Sequence, residues 1–224
     1  MASVSRSIPV IGVIGGIGSG KSVLTDALGK LLRVCSLDAD AAGHDALELQ
    51  SVKDRLRNVF GAEVFKESGE VSRIHLAKLV FGDTQPERQR RTQLEEIVHP
   101  EIRRTLEKQL KEFQDARTCD VILLDAALML EAGWSTICDA IVFVKVPDAV
   151  RFERVQRRGW SREDFQRREA SQYSLERKRA SADFVIDNSG PIEVAAQAFA
   201  EWVKSQFLLP FSESISNQNL NTPV

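Results

Sequence analysis

Cysteine is scarce in this chain, and the three present, Cys35, Cys119 and Cys138, are odd in number with no CxxC pair among them. That pattern speaks against a disulfide framework or a zinc ribbon and reads as buried thiols in a reducing cytosol. Histidine is equally sparse: His44, His75 and His99 lie far apart, without the paired spacing of a metal site. No apolar run approaches the ~18 residues of a membrane span. The stretch from Met1 to Pro9 lacks the apolar region of a secretory signal, so a cytoplasmic protein without a membrane partner is expected. Neither sign of charge dominates, with 30 Lys and Arg against 32 Asp and Glu. A generally basic coat for nucleic acid is therefore not indicated, and no internal repeat is visible. What remains is a chain of 224 residues, 43% hydrophobic and 28% charged. That is the composition of a globular domain able to bury a core without staples.

Short apolar runs punctuate the chain. Pro9 to Ile14, Val34 to Leu37, Val121 to Leu124, Ala140 to Val144 and Phe184 to Ile186 each read as a strand buried on both faces. Leu24, Leu28, Leu31 and Leu32 make the apolar stripe of a helix beginning at Ser22. Strand, helix and strand within some thirty residues form a βαβ unit. The expected fold is α/β, a five-stranded parallel sheet flanked by helices. The stretch 41–113 is too long for a simple connection and reads as a helical insertion. Within it, Leu94, Ile97 and Val98 make one apolar face, and Ile102, Leu106, Leu110 and Phe113 another. Pro100 is expected to open a new helix between them. The polar tail 211–224 is expected to fray.

Gly15-Gly16-Ile17-Gly18-Ser19-Gly20-Lys21-Ser22 fits G-x-x-x-x-G-K-[ST] between a strand and a helix. Glycines let successive N–H groups turn toward phosphate oxygens, and the helix N-terminus adds donors. In such a loop Lys21 reaches the outer phosphates and the Ser22 hydroxyl can hold Mg²⁺. The alternative, an ordinary glycine turn, is weakened by the strand–loop–helix context. Asp38 and Asp40 follow the second strand, at the sheet edge where ligands sit. Either could act as a base or merely cap the next helix. Asp125 ends the third strand, as a carboxylate aimed at Mg²⁺ would. Glu131 is either an interior polar residue or a substrate contact.

The segment 151–179 carries ten Lys and Arg against five Asp and Glu, with Arg151, Arg154 and Arg158 spaced along one helical face. Over a bound nucleotide, such a segment closes as a lid that stabilises transferring charge. It could also be a solvated helix whose exposed ion pairs contribute only ~0–1 kcal/mol each. Nucleic-acid binding is disfavoured by the few interleaved aromatics. No N-K-x-D element of a GTPase is present.

Further motifs converge. Ser68-Gly69-Glu70-Val71-Ser72-Arg73 leads through Leu76-Ala77 to Phe81. Leu94-Glu95-Glu96-Ile97-Val98-His99-Pro100 follows. Asp125-Ala126-Ala127-Leu128-Met129-Leu130-Glu131, Arg168 to Gln172, and Ala182-Asp183-Phe184-Val185-Ile186-Asp187-Asn188 complete the set. With the glycine loop and Asp38-Ala39-Asp40, they resemble the dephospho-CoA kinase family from about Ile11 to Asn188. Departures are Ile14 and Val23 where the family usually has Thr, Ala127 for Pro, Met129 for Leu, and Arg151 for Gln.

The resemblance implies a P-loop kinase that transfers the γ-phosphate of ATP, with Mg²⁺, to the ribose 3′-hydroxyl of dephospho-CoA. It implies a nucleotide-binding core of 1–40, 114–150 and 180–210, a CoA-binding insertion of 41–113 and a lid of 151–179. Asp40 would be the base, with Lys21 and Arg154 or Arg158 stabilising the transferred group. Gly15, Gly16, Gly18, Ser19, Gly20, Lys21, Ser22, Val23 and Asn188 would bind ATP. Arg73, His99, Glu131 and Arg168 would join Asp40 on the acceptor side, and Ser22 and Asp125 would hold the metal. A monomer or weak homo-oligomer is expected. Another small-molecule P-loop kinase, of nucleoside or shikimate type, and a non-catalytic nucleotide-binding regulator are the competing readings.

Overall fold

Each apolar run becomes a strand because alternate residues are claimed by helices on opposite faces. A computed structural model describes residues 7–80, 82, 84–126 and 128–208. The tail from 211, Phe81 and Ala127 lie outside the described residues. The strands are β1 (Val10–Gly15), β2 (Val34–Asp38), β3 (Val121–Asp125), β4 (Ala140–Lys145) and β5 (Phe184–Asp187). They pair in the order β2-β3-β1-β4-β5, all parallel, with Val10 opposite Ile122 and Gly12 opposite both Leu124 and Ile141. The expected sheet is thus present, and β1 at its centre delivers the glycine loop to the carboxyl edge.

On one face, Ile11, Val13, Val121, Leu123, Val142 and Val144 pack against α1 (Lys21–Leu28) and α9 (Ile192–Val203), chiefly through Leu24, Leu28, Phe199 and Val203. On the other, Val10, Ile14, Ile122 and Leu124 meet Ala42 and Ala46 of α2 (Ala39–Ala46) and Ile102 and Leu106 of α5 (Gln85–Ala116). Each such fully buried Leu, Ile or Phe contributes roughly 1.5–3 kcal/mol. Met129 packs directly over Gly12, where a Cβ would stand 2.5 Å from its sulfur. The missing side chain makes room for it.

The insertion between β2 and β3 holds α2, α3 (Gln50–Phe60), α4 (Arg73–Val80) and the long α5. It has its own small core of Val52, Leu56, Phe60, Val64, Leu76, Val80 and Ile97. One expectation fails here. Pro100 opens no new helix; α5 runs through it from a Thr84–Glu87 capping box to Ala116. The two apolar faces are real, since Ile97 serves the insertion core and Ile102 the sheet. They belong to one helix that changes partners at the proline. Pro100 has no N–H for the Glu96 carbonyl. Arg55 of α3 supplies the substitute, donating from Nη2 to Glu96 O at 3.2 Å and from Nη1 to Ile97 O at 3.4 Å.

After β4 come α6 (Asp148–Gln156), α7 (Arg162–Ala170) and α8 (Leu175–Ala180). They carry the arginine-rich segment, which returns to the sheet at β5. No helix among the described residues is long and apolar enough to cross a membrane.

Candidate active site

The glycine loop is shaped by what its residues lack. Gly18 and Gly20 take φ of 76° and 79°, the left-handed region that a side chain disfavours. A Cβ on Gly16 would stand 2.5 Å from Arg151 Nη1, and one on Gly18 would stand 2.4 Å from the Arg151 carbonyl. The loop therefore rests on Arg151, whose Nη1 donates to Ile17 O at 3.2 Å and to Glu169, while Nη2 donates to Asp148 at 3.0 Å. Arg154 braces the next turn, donating to Gly18 O, Ser19 O and Asn188 O at 3.4, 3.2 and 3.0 Å. Asn188, 2% exposed, donates from Nδ2 to Ser19 O at 2.9 Å. Ser19 Oγ is buried with no hydrogen-bond partner. A side-chain-free cradle with an orphaned hydroxyl at the start of α1 fits a polyphosphate.

Lys21 and the carboxylates gather beside it. Loss of solvent pulls the Lys21 ammonium below its ordinary value, opposed by the charges of Asp125 and Asp40. Asp125 is pushed above the usual carboxylate range, first by burial and then by Asp40 and Asp38, with Lys21 and Ser22 pulling the other way. The Ser22 hydroxyl donates to Asp125 Oδ2 at 3.5 Å. One hydroxyl and one carboxylate of hard oxygen character beside a phosphate cradle fit Mg²⁺, which keeps waters and phosphate oxygens as its other ligands.

The structure separates the two aspartates that spacing could not. Asp38 caps α2, its Oδ1 accepting from the Ala41 N–H at 2.9 Å. The Asp40 side chain, in the first turn of α2, makes no hydrogen bond or ion pair with the described residues. Its carboxylate lines a cavity of about 400 Å³ between sheet and insertion. Arg73, His99, His44, Trp134 and apolar residues of α4 and α5 complete the lining. His99 packs edge-on to Trp134 with ring centroids 5.5 Å apart, and burial holds its pKa below the ordinary 6.5.

These features suit an enzyme that brings a polyphosphate and a second substrate together at one carboxylate. A family model described as dephospho-CoA kinase matches residues 9–193. The chain belongs to the dephospho-CoA kinase family. It is 35% identical over 193 residues to dephospho-CoA kinase of Rhodopirellula baltica, covering 86% of this chain and 88% of that protein. Against the enzyme of Carboxydothermus hydrogenoformans it is 36% identical over 188 residues, covering 83% and 88%. Among solved structures, TT1252 from Thermus thermophilus matches with a TM-score of 0.75 at 32% identity, over 90% of this chain and 99% of that one. The phosphate cradle therefore serves an ATP-dependent phosphotransferase.

In this kinase the arginines predicted as one lid face do three different things. Arg151 is buried beneath the loop, and Arg154 is spent on backbone carbonyls. Arg158 is exposed, and its side chain makes no hydrogen bond or ion pair with the described residues. Arg168 lies over the Trp160 ring, 4.2 Å from its centroid, away from the cavity. Val23 points outward at 55% exposure. Glu131 accepts the Tyr173 N–H at 2.6 Å. Sequence reasoning missed Trp134, His44 and the buried Lys178. Trp134 follows a left-handed Gly133 in an irregular stretch with no periodicity, and Lys178 sits in a charged run whose one buried member no pattern reveals.

Proposed function

We propose that this kinase phosphorylates the ribose 3′-hydroxyl of dephospho-CoA through Asp40. The Asp40 carboxylate takes the hydroxyl proton as the ribose oxygen bonds to the γ-phosphorus. The bond from that phosphorus to the β–γ bridging oxygen breaks, and ADP leaves. Lys21 follows the charge on the transferring group, and Arg158, the uncommitted lid cation, arrives on closure. The adenine of ATP is assigned to the side of the loop where Arg154 and Asn188 meet, beyond Val23. Mg²⁺, when bound, neutralises charge across the outer phosphates, and Ser22 and Asp125 are the residues to hold it. The insertion of 41–113 receives the acceptor, with Arg73, His99 and Glu131 on its path. The lid of 151–179 covers the nucleotide, and Arg168 joins after leaving Trp160. Three free thiols fit a cytoplasmic setting, and nothing in the mechanism requires more than one chain.

The observation that carries this reading is the division between the aspartates: Asp38 is committed to a helix cap while Asp40 faces the cavity. Asp40→Asn keeps the shape and removes the base. Its kcat should fall by roughly 10²–10⁴-fold, ~3–5 kcal/mol in barrier, with the KM for ATP little changed. Asp38→Asn retains a capping oxygen and should be far milder. Steady-state kinetics with the reverse ranking would remove Asp40 from the chemistry.

A further inference from the structure

One fully buried cation has no role in the account so far. Lys178 on α8 is 1% exposed, and an ammonium in that setting is costly unless partners hold its charge. Its Nζ donates to Gln172 Oε1 at 2.7 Å and lies 3.8 Å from Glu131 Oε1. The same Glu131 oxygen accepts the Tyr173 N–H. Glu131 belongs to the segment leaving β3 past Asp125, whereas Gln172 and Tyr173 form the return from α7 to α8. Segments some forty residues apart thus meet at one ammonium.

Two observations tie this cluster to the reaction site. Lys178 lies within electrostatic reach of Lys21 and of Glu169, the residue that holds Arg151 beneath the loop. Glu131 Oε2 is buried with no hydrogen-bond partner among the described residues. A buried carboxylate oxygen in that state is costly until a donor reaches it, which leaves Glu131 a free acceptor facing the site.

Resting on the kinase reading above, we propose that Lys178 is a positioning residue for phosphoryl transfer. It holds Glu131 and Gln172 so that Glu131 grips the Tyr173 N–H and fixes the return end of the lid beside the acceptor cleft. Arg151 and Arg154 already fix the outgoing end. A lid held at both ends moves only at its tip, so Arg158 reaches the same place in every cycle.

The test compares the full-length parent, Lys178→Met and the double variant Lys178→Met/Glu131→Gln. Met keeps length and removes the charge, leaving Glu131 without its cation; Gln then removes the stranded charge but keeps an oxygen for the Tyr173 N–H. ADP affinity, hydrogen exchange at 170–175, and kcat with dephospho-CoA are measured on each. Lys178→Met should bind ADP as the parent does, exchange faster at Tyr173, and lose roughly 10–100-fold in kcat. The double variant should regain the protection at Tyr173, whatever its kcat, since Glu131 also stands on the acceptor's path. If Lys178→Met does not fold, a folded double variant with Tyr173 protected supports the proposal, and one with Tyr173 unprotected overturns it. Parent-like exchange and kcat in Lys178→Met would overturn it too, as would a double variant no better protected at Tyr173 than the single. Exchange and ADP binding need no acceptor, so a parent inactive on dephospho-CoA would sink the kinase reading while the exchange data still judge Lys178.

Discussion

Asp38 and Asp40 carry the same side chain two positions apart, and only the backbone around them assigns their work. Asp38 stands at the N-cap, where its oxygen reaches the Ala41 N–H; Asp40 is two residues further on, within the first turn, and lines the cavity. Spacing placed both at the ligand edge but could not rank them, because cap and base demand the same residue type; only the family resemblance singled out Asp40. The resemblance implied His99 on the acceptor side, but nothing in the sequence pointed to its ring partner: Trp134 opens a short 3₁₀ helix after β3. A consequence follows for pH. Burial lowers the His99 pKa below 6.5, against the weaker pull of Glu95, so the folded state binds this proton less readily than the unfolded chain. Stability from this group is complete above pH 6.5 and declines as pH falls below it. Chemical denaturation across that range should show a shallower acid slope in His99→Gln, and an NMR titration should place the His99 midpoint below 6.5. A midpoint above 6.5 would contradict the burial argument.

At the scale of elements, the strands were readable because each is a short apolar run claimed from two sides. The long helix was not, because a proline inside a helical pattern normally marks a start or a break. Arg55, forty-odd residues upstream, takes the carbonyl that the proline leaves open, and no local pattern reveals it. Removing that guanidinium should therefore matter only while the proline is present. Arg55→Met is expected to cost about 1 kcal/mol, the worth of a typical hydrogen bond. In a Pro100→Ala background, where residue 100 regains its N–H, the same change should cost close to nothing. Urea unfolding of the four chains measures the coupling, and equal losses in both backgrounds would show that Arg55 does not stand in for the missing donor. The arginine-rich segment proposed as a lid also differs from its expected form. Its dense arginines do not form one free face, since Arg151 and Arg154 are anchored and Arg158 is exposed. Hydrogen exchange should slow on adding ATP chiefly at the tip, around Arg158 to Arg168, where phosphates neutralise mutually repelling charge. Slowing spread evenly from 151 to 179 would argue against pinned ends.

For the whole molecule, function depends on three separately built parts meeting at one edge. The sheet presents the loop and carboxylates, the insertion folds around its own apolar cluster, and the arginine-rich segment spans the remaining side. The fold class and the glycine loop could be read from sequence, since periodicity and spacing are local. The cavity between sheet and insertion could not, because α2, α4, α5 and the segment after β3 each supply part of its wall. That cavity, with Asp40 at its lining and the phosphate cradle nearby, is the basis for assigning the acceptor. The most direct test is an ADP-coupled assay in which dephospho-CoA, adenosine and shikimate are offered separately with MgATP. The account predicts sustained ADP formation with dephospho-CoA alone, and a product carrying one added phosphate on the ribose 3′-oxygen. Turnover with adenosine or shikimate and none with dephospho-CoA would contradict it.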